Sequence, residues 1–570
     1  MNALRQIGLA LVWTGALLAA EEPPPVALPP FLVEEASKGP PWRYATAPGY
    51  EILSRCGDSV TRRVVATHQR LHQLLAEVLP PALQFQCTLP RTLILYDEEL
   101  QPAASREVIA RLLRQDAVAP ADDFPAPPGG RGFRPVMPTR RMSFLPNLRL
   151  WDRDAMTVFM IVRRDDFDAD RLTLTTDYIS FLVKNRVPSL PPWFVAGFLT
   201  LYGQMHNEGE RLVLDELEWI SPAHTAAVKR DPKTAPPVQP LADFLALRMP
   251  APGEPPAFEP MKAWQAQAAL LARWGIEADG GAHRAAFWKF AERAAVHGSN
   301  ADLFAECFGF DLAAAHAKLT AYLAVAVRRT AVFRIPRDAP KPAPLALRNA
   351  TDTEIARLKG DWERLEVPYV KRLEPRLAEK YLEQARRTFR RAYDRGDRDP
   401  RLLAAMGLCE ADAGDDAAAS ELLEAAAMLG ALRPRANHEL ARLRLAAARA
   451  QPGRPGALID TEQVAEILKP LFAARAAEPP LPEVYELIAD VWAVSATKAT
   501  RGHLAVLDEG VRLFPRRAAL VLRAAEVNLR HGYPAEAAVL AELAEKFSGD
   551  EDGRVRLAAL RDALAKEPRE

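Results

Sequence analysis

The chain has 570 residues, 74 Lys+Arg against 74 Asp+Glu, 49% hydrophobic residues, 49 prolines and four cysteines. That length suggests two to four domains. The charge balance gives no electrostatic reason to expect a nucleic-acid binder, and 26% charged residues among ample aliphatics exclude wholesale disorder.

Residues 1–20, MNALRQIGLALVWTGALLAA, combine one early cation, Arg5, with an apolar run and two small residues before Glu21-Glu22. The pattern predicts a cleaved secretory signal peptide, and the run falls short of the ~20 residues that cross a bilayer comfortably. No later segment is apolar enough to span a membrane, so export to the periplasm or the extracellular space is expected. In such an oxidising compartment Cys56 and Cys87, each next to a strand-like segment, are a possible disulfide, with buried free thiols as the other reading. No cysteine pair has C-x-x-C spacing, which argues against a structural zinc cluster.

In chain order, residues 21–41 form a proline-rich linker. Trp42 to Arg55 and Arg91 to Tyr96 have strand character around a helix from Asp58 to Leu79. Ala121 to Pro138 is a Pro/Gly-rich insertion loop. TVFMIV, starting at Thr157, is a short buried strand, a helix follows from Thr175 to Lys184, and Pro188, Pro191 and Pro192 precede the helix WFVAGFLTLYG. A proline-rich interval from Asp231 to Pro260 leads into helices Lys262 to Trp274, His283 to His297 and Asp311 to Val327. Residues 334–360 are the expected linker between an N-terminal domain, 42–333, and a helical region, 361–555, with a tail at 556–570.

Beyond Asp361 a period emerges. Gly407, Gly414, Ala419 and Ala426 recur in spacing as Ala525, Gly532, Ala537 and Ala544, while Ala385, Phe389 and Ala392 lie 34 residues before Ala419, Leu423 and Ala426. The region resembles the tetratricopeptide repeat, with units near Glu366–Asp399 (second helix only), Pro400–Arg433 and Ala518–Asp550 and two weaker units between. The resemblance implies an all-α solenoid with a concave face that binds proteins or peptides.

The strand-helix-strand opening, TVFMIV before a helix, LPPWFVAGFLTLY and the helices AFWKFAERAAVHG and LFAECFGFDLAAAHAKLTAYL together resemble the gluzincin-like peptidase MA family, which implies an α+β, zincin-like N-terminal domain. Such peptidases carry H-E-x-x-H on one helix and a glutamate in W-x-x-E-G on a second, because histidines at i and i+4 share a face. Here Thr176, Asp177 and Ser180 stand where His, Glu and His belong, and Ala196 takes the second glutamate's place. Hydroxyls and a methyl do not replace these ligands, so the resemblance predicts the fold while arguing against the chemistry.

Trp193, Phe198 and Tyr202 flank the lost site, either as a vestigial groove or, in the plainer reading, as core. His68 and His72 share i,i+4 spacing without the carboxylate of the motif and are expected to be surface or partly packed side chains. His438-Glu439 lacks a second histidine and reads as a packing helix. Asp166, Asp168, Asp170 and Asp177 resemble part of a calcium loop but lack its glycine and terminal Glu. No Walker loop, dinucleotide fingerprint or G-x-S-x-G elbow is present. The sequence thus points to an exported, non-catalytic protein- or peptide-binding chain without a cofactor; a hydrolase with an unrecognised metal site and a structural envelope protein are the alternatives.

Overall fold

The computed structural model describes residues 40–97, 143–144, 148–162, 172–234, 236–246, 258–339, 341, 344–450, 458–546 and 551–566. The expected signal peptide, nearly all of the expected first linker, the expected insertion loop at 121–138 and the acidic residues Asp166, Asp168 and Asp170 lie outside them.

Pro48-Gly49 splits the first expected strand into the hairpin β1 (Arg43–Ala47) and β2 (Tyr50–Ser54), with Gly49 at φ +74°. Proline sets the first turn angle and glycine supplies the left-handed second one. Helix α1 (Asp58–Ala76) then crosses over to β3 (Arg91–Asp97), parallel to β2. After the short β4 (Ser143–Phe144), the hairpin β5 (Leu148–Trp151) and β6 (Met156–Val162) completes a mixed sheet in which β6 runs parallel to β3 and β5 forms an antiparallel edge. β7 (Leu172–Thr173) pairs with β4.

Alternation along these strands makes two cores. Ile52, Leu93, Leu95, Val158 and Met160 face a large cluster of helices, among them α1, α2 (Thr176–Lys184), α3 (Pro192–Tyr202) and, beyond the hairpin β8 (Met205–Glu208) and β9 (Arg211–Leu214) and the short helices α4 (Pro222–Arg230) and α5 (Leu241–Ala246), helix α6 (Phe258–Glu277). α7 (Arg284–His297), α8 (Ala301–Phe308) and α9 (Leu312–Ala326) finish that layer, and β10 (Ala331–Arg334) returns to β9.

Leu53, Ile94, Leu150 and Phe159 project from the opposite face, and the residues expected to be a linker cover it. Within 334–360, β11 (Arg348–Asn349) pairs with β1 and α10 begins at Asp352, running to Leu373. Leu358, Trp362 and Leu365 of α10 seal the sheet; Trp362 has no exposed surface and stacks on Phe159 at 4.9 Å between ring centroids. The expected linker is therefore structural, because a sheet with two apolar faces needs a cover on each.

α10 is also the missing first helix of the first repeat. It pairs with α11 (Ala378–Tyr393), where Gly360 lies so close to Phe389 that an added Cβ would come within 2.7 Å of the ring. Further antiparallel pairs follow: α12 (Pro400–Ala413) with α13 (Asp416–Met428), α14 (Pro434–Arg449) with α15 (Thr461–Arg475), α16 (Pro482–Ala493) with α17 (Arg501–Leu513), and α18 (Ala518–Arg530) with α19 (Pro534–Glu545). The expected tail belongs to a closing helix, α20 (Glu551–Lys566). First helices of successive pairs touch one another, which makes a solenoid with α10, α12, α14, α16, α18 and α20 along one side.

Candidate functional site

Thr175 caps α2 by accepting from the Tyr178 backbone N–H at 3.2 Å. That start places Thr176 and Asp177 on the exposed side and Ser180 half-buried one turn on, while Ala196 is half-buried on the neighbouring α3. Asp177 does not face an open site. Its carboxylate pairs with Arg149 of edge strand β5 at 2.8 Å, and Arg149 also donates to the Asp177 carbonyl at 3.1 Å while lying 4.5 Å over the Phe181 ring.

Beside Ala196, Gly197 is fixed by packing. A Cβ there would sit 2.3 Å from the Ala268 carbonyl oxygen, so the glycine lets α3 and α6 cross in near contact. The three aromatics proposed for a vestigial groove are core residues in the structure: Trp193, Phe198 and Tyr202 are at most 6% exposed. Trp193 stacks on Phe290 and donates its indole N–H to Ser299 Oγ at 2.8 Å, and the Tyr202 hydroxyl donates to the Leu174 carbonyl at 2.8 Å. Their apolar bulk and fixed hydrogen bonds leave no aromatic lining for a ligand.

The possible disulfide is absent from the structure. Neither cysteine is disulfide-bonded: Cys56 is buried, and Cys87 donates to the Asp154 carbonyl at 2.9 Å, with burial pushing its thiol up to about 11.

His68 and His72 join a buried polar cluster that sequence spacing does not reveal, because its members come from α1, β2, β3 and α2. The Arg91 guanidinium donates to the Tyr50 hydroxyl at 3.1 Å, the Tyr178 hydroxyl at 3.2 Å and the Phe85 carbonyl at 3.1 Å, and both hydroxyls lie 3.2 Å from His72 Nε2. Burial, reinforced by the Arg91 charge, holds His68 down at about 3 and His72 well below the usual imidazole range. The Arg91 cation disfavours a metal ion beside these imidazoles, their lowered pKa values make them poor bases, and the shared hydrogen bonds tie four elements together. Among the described residues no three His, Cys, Asp or Glu side chains converge in a metal-binding arrangement.

A buried network of charged side chains lies between sheet and solenoid. The β5–β6 turn, Asp152-Arg153-Asp154-Ala155, projects against the first-helix side of the first repeats. Asp152 accepts from Arg364 of α10, from Arg433 at the head of α14 at 2.8 Å, and from Arg435. Arg364 and Arg435 also grip Asp412 of α12 at 2.8 and 2.7 Å, and Arg433 reaches Asp361 at 3.2 Å. α14 has no side-chain cap of its own; Asp154 supplies one from the turn, accepting from the Arg435 backbone N–H at 2.7 Å. Close by, Glu51 of β2 accepts from Arg357 at 2.6 and 2.9 Å and from Arg401. Burial opposes ionisation of Asp152 and Glu51, but the surrounding guanidiniums outweigh it and hold both carboxyls at about 2. These partners stand up to 350 residues apart, and no local pattern announces them.

No family profile matches the chain, and no curated protein matches it. Among solved structures, the thermophilic TPR protein TTC0263 of Thermus thermophilus aligns at 20% identity over 34% of this chain and 98% of its own, with a TM-score of 0.24. A double mutant of MamA from RS-1 aligns at 17% identity over 37% and 98%, with a TM-score of 0.24. PilF of Pseudomonas aeruginosa aligns at 15% identity over 38% and 90%, with a TM-score of 0.25.

Proposed function

We propose that this chain is an exported, non-catalytic binding protein in which a peptidase-MA-like domain without zinc ligands is joined to a tetratricopeptide solenoid that engages a protein or peptide. The observation that carries the binding role is the stack of helix pairs, whose regular surfaces present side chains for recognition and hold no chemistry of their own. Support for the loss of peptidase function comes from the donor set: Thr176, Ser180 and Ala196 bring no imidazole or carboxylate, and Asp177 is engaged by Arg149. The first-helix side of the first repeats already holds the chain's own β5–β6 turn, so a partner is expected on the later repeats or on the second helices.

Two measurements test this reading. Purified full-length protein, supplemented with zinc, should retain far less than one zinc per chain; near-stoichiometric zinc with metal-dependent peptide cleavage would establish the hydrolase instead. Conversely, the fourfold variant T176H/D177E/S180H/A196E should gain tight zinc binding if these positions descend from a metal site, and failure of a folded variant to bind zinc would remove the peptidase resemblance.

A further inference from the structure

The joint between sheet and solenoid carries more carboxyl groups than it can neutralise. Asp152 and Asp154 from the turn, Asp361 from α10 and Asp412 from α12 face Arg364 from α10 and Arg433 and Arg435 from α14. Other charged neighbours have partners elsewhere: Arg153 pairs with Glu483 of α16 at 3.4 Å, and Glu439 with Arg442 at 2.7 Å. His438 of α14 is held below the usual imidazole range by burial, and the Cys87 thiol stays protonated.

Among the four acids Asp154 is the poorest served. It has no exposed surface, and while Oδ2 accepts the Arg435 backbone N–H, Oδ1 stands 3.7 Å from Arg433 Nε. Neither of those two atoms has a hydrogen-bond partner among the described residues. The other three carboxylates each receive at least two guanidinium contacts.

We propose that the joint is proton-linked through Asp154: the turn docks most firmly with a proton on that carboxyl and loosens when the proton leaves. Burial, together with the Asp152 charge, pushes Asp154 up to about 6 from 3.8, with Arg433 pulling the other way. A raised carboxyl contributes docked-state stability that is complete below about pH 4 and is lost as pH rises through about 6. A rise of about two units corresponds to on the order of 100-fold in the equilibrium. Asp152 and Glu51, held at about 2, lose their contributions only at lower pH and add no slope in this window.

The test compares unfolding constants of the full-length chain, D154N and E51Q by denaturant titration between about pH 4.5 and 7.5. Buried neutral histidines give an opposite slope, but it is common to all three proteins and cancels in the ratios. The ratio of the wild-type unfolding constant to that of D154N should rise about 20-fold across the window, while the ratio to E51Q stays within about twofold. A flat ratio for D154N overturns the proposal. Should D154N not fold, hydrogen exchange of wild type serves: protection of residues 151–155 and 433–437, corrected for intrinsic rate and referred to 518–530, should fall as pH rises, and an unchanged protection ratio overturns the proposal equally.

Discussion

Asp177 illustrates how little a single side chain discloses until its neighbours are known. Its place in LTTDYISFLV is that of the motif's glutamate, yet the structure gives it Arg149 as partner in a pair whose carboxylate side chain is 75% exposed. An exposed pair contributes about 1 kcal/mol or less. Asp177→Ala should therefore shift the denaturation free energy by no more than that and leave partner binding unchanged in a titration, whereas a large loss of activity would contradict the non-catalytic reading. His68 makes the opposite case, since a histidine expected at or near the surface is buried and neutral. In the unfolded chain it protonates below about 6.5, but in the folded protein only near 3. Stability is thus lost as pH falls between those values, and His68→Phe should flatten that acid-side slope in denaturant titrations relative to wild type. The i,i+4 spacing was legible in the sequence; Tyr50, Arg91 and Tyr178, which decide the chemistry, were not, because only folding brings them to that helix.

Helices and their crossings were the most legible level. Small residues at a 34-residue spacing marked the repeat, and the structure gives the reason: at Gly407 an added Cβ would lie 2.7 Å from Leu423, while Ala419 and Ala426 are buried where the paired helices meet. The same reasoning ranks two glycines at either end of α3's second half. Gly197→Ala should cost about 1–3 kcal/mol, because the Ala268 backbone cannot move aside without shifting α6. Gly203→Ala, with right-handed φ and no atom closer than 3.5 Å to the added methyl, should change stability by about 0.5 kcal/mol or less. Comparable losses for both in thermal unfolding would mean that the crossing is softer than its geometry implies. The first repeat was half missed because α10 spends its apolar residues on the sheet and so departs from the repeat's own pattern.

Across the whole molecule, the boundary expected at residues 334–360 is the seam that holds the chain together. Burial of Leu358, Trp362 and Leu365 contributes roughly 5 to 9 kcal/mol, comparable to the entire stability of a typical domain. A chain ending near Arg334 should consequently expose the Phe159 face of its sheet and aggregate or lose native circular dichroism, whereas extension through Leu373 should restore solubility; a well-folded, monomeric 1–334 fragment would contradict this dependence. Composition and periodicity by themselves determined the strand-and-helix start and the helical repeat, since these follow from residue type and spacing along one element. Tertiary structure alone decided that Trp193, Phe198 and Tyr202 are core, that Cys56 and Cys87 are separate thiols, that the presumed linker closes the sheet, and that Asp152 and Asp154 pack against the first helices of the first repeats. Those outcomes depend on which distant surfaces meet, and neither desolvation nor ion pairing across hundreds of residues leaves a periodic trace in the chain.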